Sequence, residues 1–235
     1  MVVTIKNVNE QNAETYNQNT IKENKGPMPS NNLLESVNFE FNGYNGKDYW
    51  QHQGNDDNCA ITSLLVAVNM LLGENRYTNN VSEWEKMGSY SEELGSNGGE
   101  QVSQWLEQAG LSDTIEITEA YKWVPEDEVD SLPAINKRIS SRKELMSHLK
   151  NGEIVIASAD GQVFKLGEDE NGNPIYDSPM SHYVVFYLGK DGQVHCNNSA
   201  GDDPSRYADI VYNDADLDLF FDSVVGTVSL KIKSN

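Results

Sequence analysis

Residues 51–73, QHQGNDDNCAITSLLVAVNMLLG, leave the chain few ways to fold. After Cys59 the sequence runs through Ile61, Leu64, Leu65, Val68, Leu71 and Leu72 with Ala and Val between them, apolar on nearly every side of a helical wheel. Such a helix has no face to offer to water and must be enclosed by other elements. At about fifteen residues it is too short to cross a bilayer, so the enclosing material is the rest of the protein. Asn55, Asp56, Asp57 and Asn58 are all good N-cap types, which sets the helix start at or beside Cys59. A thiol there meets the positive end of the helix dipole and the unpaired amides of the first turn, both of which favour thiolate. The position suits a nucleophile. The competing use of a cysteine is apolar packing in a core.

Length and charge limit what such a helix can serve. A chain of 235 residues is long enough for one large domain. The first 32 residues, rich in Asn, Gln, Glu and Lys and ending in Gly26-Pro27-Met28-Pro29, carry too little apolar surface to offset ordering entropy. They are expected to form a mobile polar arm, with one catalytic domain over 33–235. Lys and Arg number 17 against 37 Asp and Glu, a formal charge of -20 that disfavours nucleic acid and anionic membranes as partners. Two cysteines make no disulfide framework and lack zinc-site spacing, so neither metal nor cofactor is expected. No secretory signal or membrane-length stretch is legible, which predicts a cytoplasmic protein or one exported without a classical signal peptide. Gly-rich phosphate loops and Gly-x-Ser-x-Gly elbows are also missing from the sequence. Asp169-Glu170-Asn171-Gly172-Asn173 reads as a hairpin turn, because Pro174 and Met180 stand where a calcium loop needs Gly and Glu.

The order of elements predicts an α+β fold. Alternation at Val37, Phe39 and Phe41 suggests a strand. A polar helix is expected around Trp84 from Tyr77 onward, and another through Val102, Trp105 and Leu106 closed by Gly110. Ile115 and Ile117 read as a strand, and 123–133 as acidic and irregular. Ser140 or Ser141 caps a helix that has Glu144 at capping-box spacing from Ser141 and ends at Asn151-Gly152. The remainder is strand-rich, with a short helix around 217–221. Helices first and a mostly antiparallel sheet second argue for a helical lobe packed on a sheet lobe with a cleft between them.

A cysteine nucleophile needs a base, and the chain has only His52, His148, His182 and His195. His148 falls on a surface helix and His52 on the loop before the central helix. His182 stands at the entrance to Tyr183-Val184-Val185-Phe186-Tyr187-Leu188, a run apolar enough for a central strand. Lys190-Asp191-Gly192-Gln193 then turns the chain back, so the 194–198 strand pairs with it and returns Asn197 and Asn198 towards His182. Strand alternation puts Val194, Cys196 and Asn198 on one face and His195 with Asn197 on the other. Only one of the two asparagines can therefore orient the imidazole.

With Gln53 six residues before Cys59, the helix from Cys59, Ser181-His182-Tyr183-Val184-Val185 and Val194-His195-Cys196-Asn197-Asn198, residues 48–230 resemble the papain-like cysteine peptidases. More narrowly they are similar to the bacterial branch that processes double-glycine bacteriocin leaders, in which a helix-Gly-strand element like 149–156 precedes the histidine strand. The resemblance implies a papain-like two-lobed fold, with Cys59 as nucleophile, His182 as base, Asn198 as the group orienting it, and Gln53 with the Cys59 N–H as oxyanion donors. It implies hydrolysis of a peptide bond in a protein or peptide substrate through an acyl-enzyme. Leader-processing members are fused to membrane transporters, which this sequence lacks, so another substrate is expected. Papain-like bacterial effectors with the same triad suggest an alternative: glutamine deamidation or transglutaminase-type transfer on a partner protein. A third reading is an inactive papain-like binding module.

Overall fold

In the computed structural model, which describes residues 43–54, 58–86, 98–120, 139–177 and 182–234, the apolar run forms helix α1, Cys59–Leu72, closed by Gly73 in the left-handed conformation. Residues 60–71 are all buried. Two polar side chains in α1 bind neighbouring backbone. Asn69 accepts from the Arg76 and Tyr77 N–H groups and donates to the Tyr77 carbonyl, and Ser63 Oγ donates to the Tyr183 carbonyl at 3.1 Å. The grip of Asn69 on the chain at Tyr77 is why the next helix, α2, begins only at Val81 and runs to Lys86, later than the sequence suggests. Helix α3, Gly98–Gln108, follows and buries Trp105 completely, with its indole N–H on Glu83, so Trp105 belongs to the core.

Strands β1 (Ile115–Ala120), β2 (Ile154–Ala159), β5 (His182–Leu188), β6 (Val194–Asn198), β7 (Ile210–Tyr212) and β8 (Val224–Ile232) form a six-stranded sheet in the order β1-β8-β2-β5-β6-β7. Every neighbouring pair is antiparallel. Strands β3 (Phe164–Glu168) and β4 (Pro174–Asp177) make a separate hairpin. Its turn is closed by Asp169, whose carboxylate accepts the Asn171 and Asn173 N–H groups. Helices α4 (Arg142–Lys150), α5 (Pro204–Tyr207) and α6 (Asp214–Asp222) and a 3-10 turn, Gly46–Tyr49, complete the described elements. Ser141 caps α4 and accepts the Glu144 N–H, while the Glu144 carboxylate accepts from both N–H and hydroxyl of Ser140.

Both faces of the central strands are covered, which explains why β5 reads as an unbroken apolar run rather than an alternating one. Tyr183, Val185 and Tyr187 face α1 and α3, in a core shared with Ile154, Ile156 and Leu230. Val184 and Phe186 face the opposite way, towards Leu145 and Leu149 of α4, Leu217, Phe220 and Phe221 of α6, and Phe164 of the hairpin. The arm expected over 1–32, the strand over 37–41, the acidic stretch 123–133, and Asp56 and Asp57 lie outside the described residues.

His148 departs from the expectation of a surface position. It is half-buried, with Nδ1 2.7 Å from Glu153 and Nε2 2.9 Å from Glu119. Its pKa is raised, chiefly by the hydrogen bond to Glu153. Burial alone would raise the Glu153 carboxyl, but hydrogen bonds from His148, Ser229 and Thr118 win and bring it down to about 2. The His148 contribution to stability is therefore complete below its unfolded value of 6.5 and lost as pH rises through the folded value. That of Glu153 is present above 4.5 and lost only towards pH 2. In urea melts from about pH 5.5 to 9, the stability gap between this chain and His148→Gln is expected to shrink as pH rises. A gap independent of pH would mean the imidazole is not held charged.

Candidate active site

The segment before α1 is fastened from both sides. Gln51 donates to the Tyr77 carbonyl and accepts the Asn79 N–H, and Asn79 Nδ2 donates to the Gln53 carbonyl at 3.0 Å. From the sheet, Ser199 accepts the Gln53 N–H with its carbonyl at 3.0 Å and donates its hydroxyl to Gln53 Oε1, also at 3.0 Å. With Oε1 turned to Ser199, Nε2 is the end that can donate. Trp50 donates its indole N–H to the Asn198 carbonyl at 2.6 Å. Residues 50–53 thus tie the approach to Cys59 onto the end of β6.

Across this junction sits His182, 3% exposed, with Nε2 2.8 Å from Asn198 Oδ1. The same oxygen accepts the Ala200 N–H at 2.9 Å. Because a backbone N–H can only donate, that atom is an acceptor, and His182 Nε2 must carry a proton. Nδ1 is left with the lone pair in the neutral ring, the tautomer a general base requires. Burial pushes the His182 pKa down, partly offset by the Asn198 hydrogen bond and the charge of Asp177, so the ring is kept neutral and able to accept a proton.

Strand register decides which asparagine can reach. Val184 lies opposite Asn198, so Asn198 shares a sheet face with Val184 and His182. Asn197 points the other way, donating to the Gly46 carbonyl and accepting the Asp209 N–H. It holds a loop and not the imidazole. Gly46 also has no room for a side chain, since a Cβ there would lie 2.1 Å from the Tyr187 ring.

Cys59 opens α1 at the same end of the sheet. Ser63, one turn further along the helix, bonds the carbonyl of Tyr183, the residue after His182. Residues i and i+4 share a helix face, so Cys59 lies about 6 Å nearer the helix start on the face that meets β5. The Tyr183 hydroxyl, pushed up to about 12 by burial, also feels the charge of Cys59. Cys59 is partly exposed, whereas Cys196 is fully buried and its thiol is driven well above the ordinary range. The N-cap Asn58 makes no side-chain bond to the helix amides, so the first-turn N–H groups are not capped by it.

Sequence reasoning missed Trp50 and Ser199. Their only signal was position, one three residues before Gln53 and the other next to Asn198. His195 lies outside the site, between Asp209 at 2.8 Å and Asp191 at 3.0 Å. His52 takes part through its carbonyl, which accepts from Asn79.

Comparison with known proteins agrees at the level of fold. No family model matches the sequence, and no curated protein does. Among solved structures, a provisionally assigned C39-like peptidase from Bacillus anthracis matches with a TM-score of 0.50 at 11% identity, over 82% of this chain and 98% of that one. At that identity the likeness is one of architecture: an α+β fold in which the helix from Cys59 packs on the six-stranded antiparallel sheet.

The two asparagines are expected to separate cleanly on mutation. Asn197→Ala strands the Gly46 carbonyl and the Asp209 N–H, costing about 1–3 kcal/mol in urea unfolding. It should leave the His182 Nε2–H proton visible by NMR. Asn198→Ala should abolish that proton signal; its persistence would show that another group holds the ring.

Proposed function

We propose that this chain is a cysteine-dependent amide hydrolase of the papain-like type, acting on peptide bonds. The observation that carries the reading is the buried His182–Asn198 hydrogen bond, which sets the ring tautomer and leaves Nδ1 as the acceptor. The fold likeness to a C39-like peptidase and the motif resemblance around Gln53, Cys59 and His182 support it independently.

In this reading His182 Nδ1 takes the Cys59 proton, giving a thiolate that the helix N-terminus favours. Sulfur attacks the carbonyl carbon and the π electrons move to oxygen. The Cys59 N–H and Gln53 Nε2 donate to that oxyanion, the Gln53 amide being held by Ser199. The tetrahedral species collapses as the imidazolium gives its proton to the departing amine, leaving a thioester. Water, deprotonated by the same imidazole, attacks the thioester carbonyl and releases the acid with the thiol restored. Asn198 keeps the ring facing the sulfur throughout and carries no proton itself.

A thiol-directed electrophile tests this directly. Cys59 should alkylate below pH 7 faster than a free cysteine, and His182→Ala should slow that reaction roughly tenfold or more. An unfolded protein substrate should gain new amino termini, and Gln53→Ala should lower that turnover about 10²–10³-fold. A Cys59 indifferent to His182 would sink the proposal, and ammonia release without new termini would replace peptide hydrolysis by side-chain deamidation.

A further inference from the structure

The hairpin β3–β4 is not part of the main sheet, yet it is fixed to the molecule by a dense set of polar contacts. Lys165, almost fully buried, places its ammonium 2.8 Å from the buried carboxylate of Asp216 on α6. From the facing strand, Tyr176 donates to the other oxygen of the same carboxylate at 2.6 Å. The Lys165 N–H donates to the Tyr212 hydroxyl at 2.8 Å. Asp216 is itself held in place, since its carboxylate also accepts the Asn213 N–H in the capping box of α6. Lys165 and Tyr176 are directly opposite in the hairpin, so this one knot sets the position of both strands.

The next register pair along the hairpin is Phe164 with Asp177. Phe164 is completely buried, and its ring stands edge-on to the His182 imidazole, centroids 5.3 Å apart at 70°. Phe220 backs Phe164 in turn, at 5.5 Å. Asp177 acts on the same imidazole as a nearby negative charge. A buried charged knot is a costly way to pin a surface hairpin, because each ion must be desolvated. Two neighbours of His182 delivered by one register pair give that cost a purpose.

We propose that the β3–β4 hairpin is a positioning element for His182, in which Phe164 fixes the ring plane and keeps water from the face turned away from α1, while Asp177 supplies a countercharge to the protonated ring. The proposal rests on His182 being the base of the site, and it concerns positioning residues that touch no substrate. Among the described residues, Asp177 on β4 is the charge that acts on the ring, with Tyr183 next along β5 and Lys165, Asp216 and Tyr176 in the knot behind; the charge of Cys59 acts on Tyr183.

Ring titration of His182 by NMR in the full-length chain tests the hairpin without any substrate. Phe164→Leu, which leaves a gap for water, should raise the His182 midpoint by about half a unit, because desolvation is relieved. Asp177→Asn keeps shape and should lower the midpoint by a similar amount, because it removes the countercharge. Phe221→Leu, in the same core cluster, should cost stability and leave the midpoint in place. Unmoved midpoints in both Phe164→Leu and Asp177→Asn, with the fold intact, would overturn the proposal. Cys59 alkylation across pH separates this from the catalytic reading. If the midpoints shift as stated while alkylation ignores His182, the hairpin positions the ring but the ring does not serve Cys59.

Discussion

The packing of α1 against β5 is the constraint from which the site follows. Both elements are apolar on all sides, so neither can be left at a surface, and burying one against the other satisfies both. Apolar contact alone would let the helix slide along the strand. The hydrogen bond from Ser63 to the Tyr183 carbonyl fixes its axial position, since a slide of one turn would bury a hydroxyl and a carbonyl without partners. That position sets the head of the helix, with Cys59, one turn before the Ser63 contact with Tyr183.

The second constraint is parity. A strand sends alternate side chains to opposite faces, so a sheet covered on both sides sorts its polar residues without further instruction. At the end of β6 this gives Asn198 to the imidazole and Asn197 to the loop carrying Gly46, though the two residues are adjacent and identical in type. Ser199 then turns back to hold Gln53. Three consecutive residues on one strand end thus serve three different neighbours, and a one-residue shift in β5–β6 register would break all three.

Much of this was legible in the chain because it is local. The α1 start at Cys59, its stop at Gly73, the 190–193 turn and the face assignments on β6 follow from capping, turn chemistry and alternation acting over a few residues. The choice between Asn197 and Asn198 stayed open because it depends on where β5 places His182, a pairing across sixteen residues. Trp50 and Ser199 were invisible for the same reason: each bonds a partner about 150 positions away, and nothing in their own neighbourhood asks for such a bond. His148 was misplaced because periodicity puts it on the outer side of a short helix. The neighbouring strand β1 and the start of β2 carry Glu119 and Glu153 up to meet it. The four-residue α5 and the 3-10 turn at Gly46–Tyr49 are too short to leave a periodic signal.

Electrostatics distinguishes His148, His182 and His195 more sharply than position does. His148 lies between Glu119 and Glu153, and His195 between Asp191 and Asp209; the pKa is raised in both, at His148 chiefly by the Glu153 hydrogen bond and at His195 by the two carboxylates against the burial that works to lower it. That shift favours the protonated ring, the form that cannot accept a further proton. His182 has a neutral amide at Nε2 and burial working against its charge, which leaves Nδ1 basic and empty. Asp177 tempers the burial, so the imidazolium formed on accepting a proton is not prohibitively unstable. A proton shuttle needs both states within reach, and among these three surroundings only that of His182 keeps the neutral ring as the resting form while providing for the charged one.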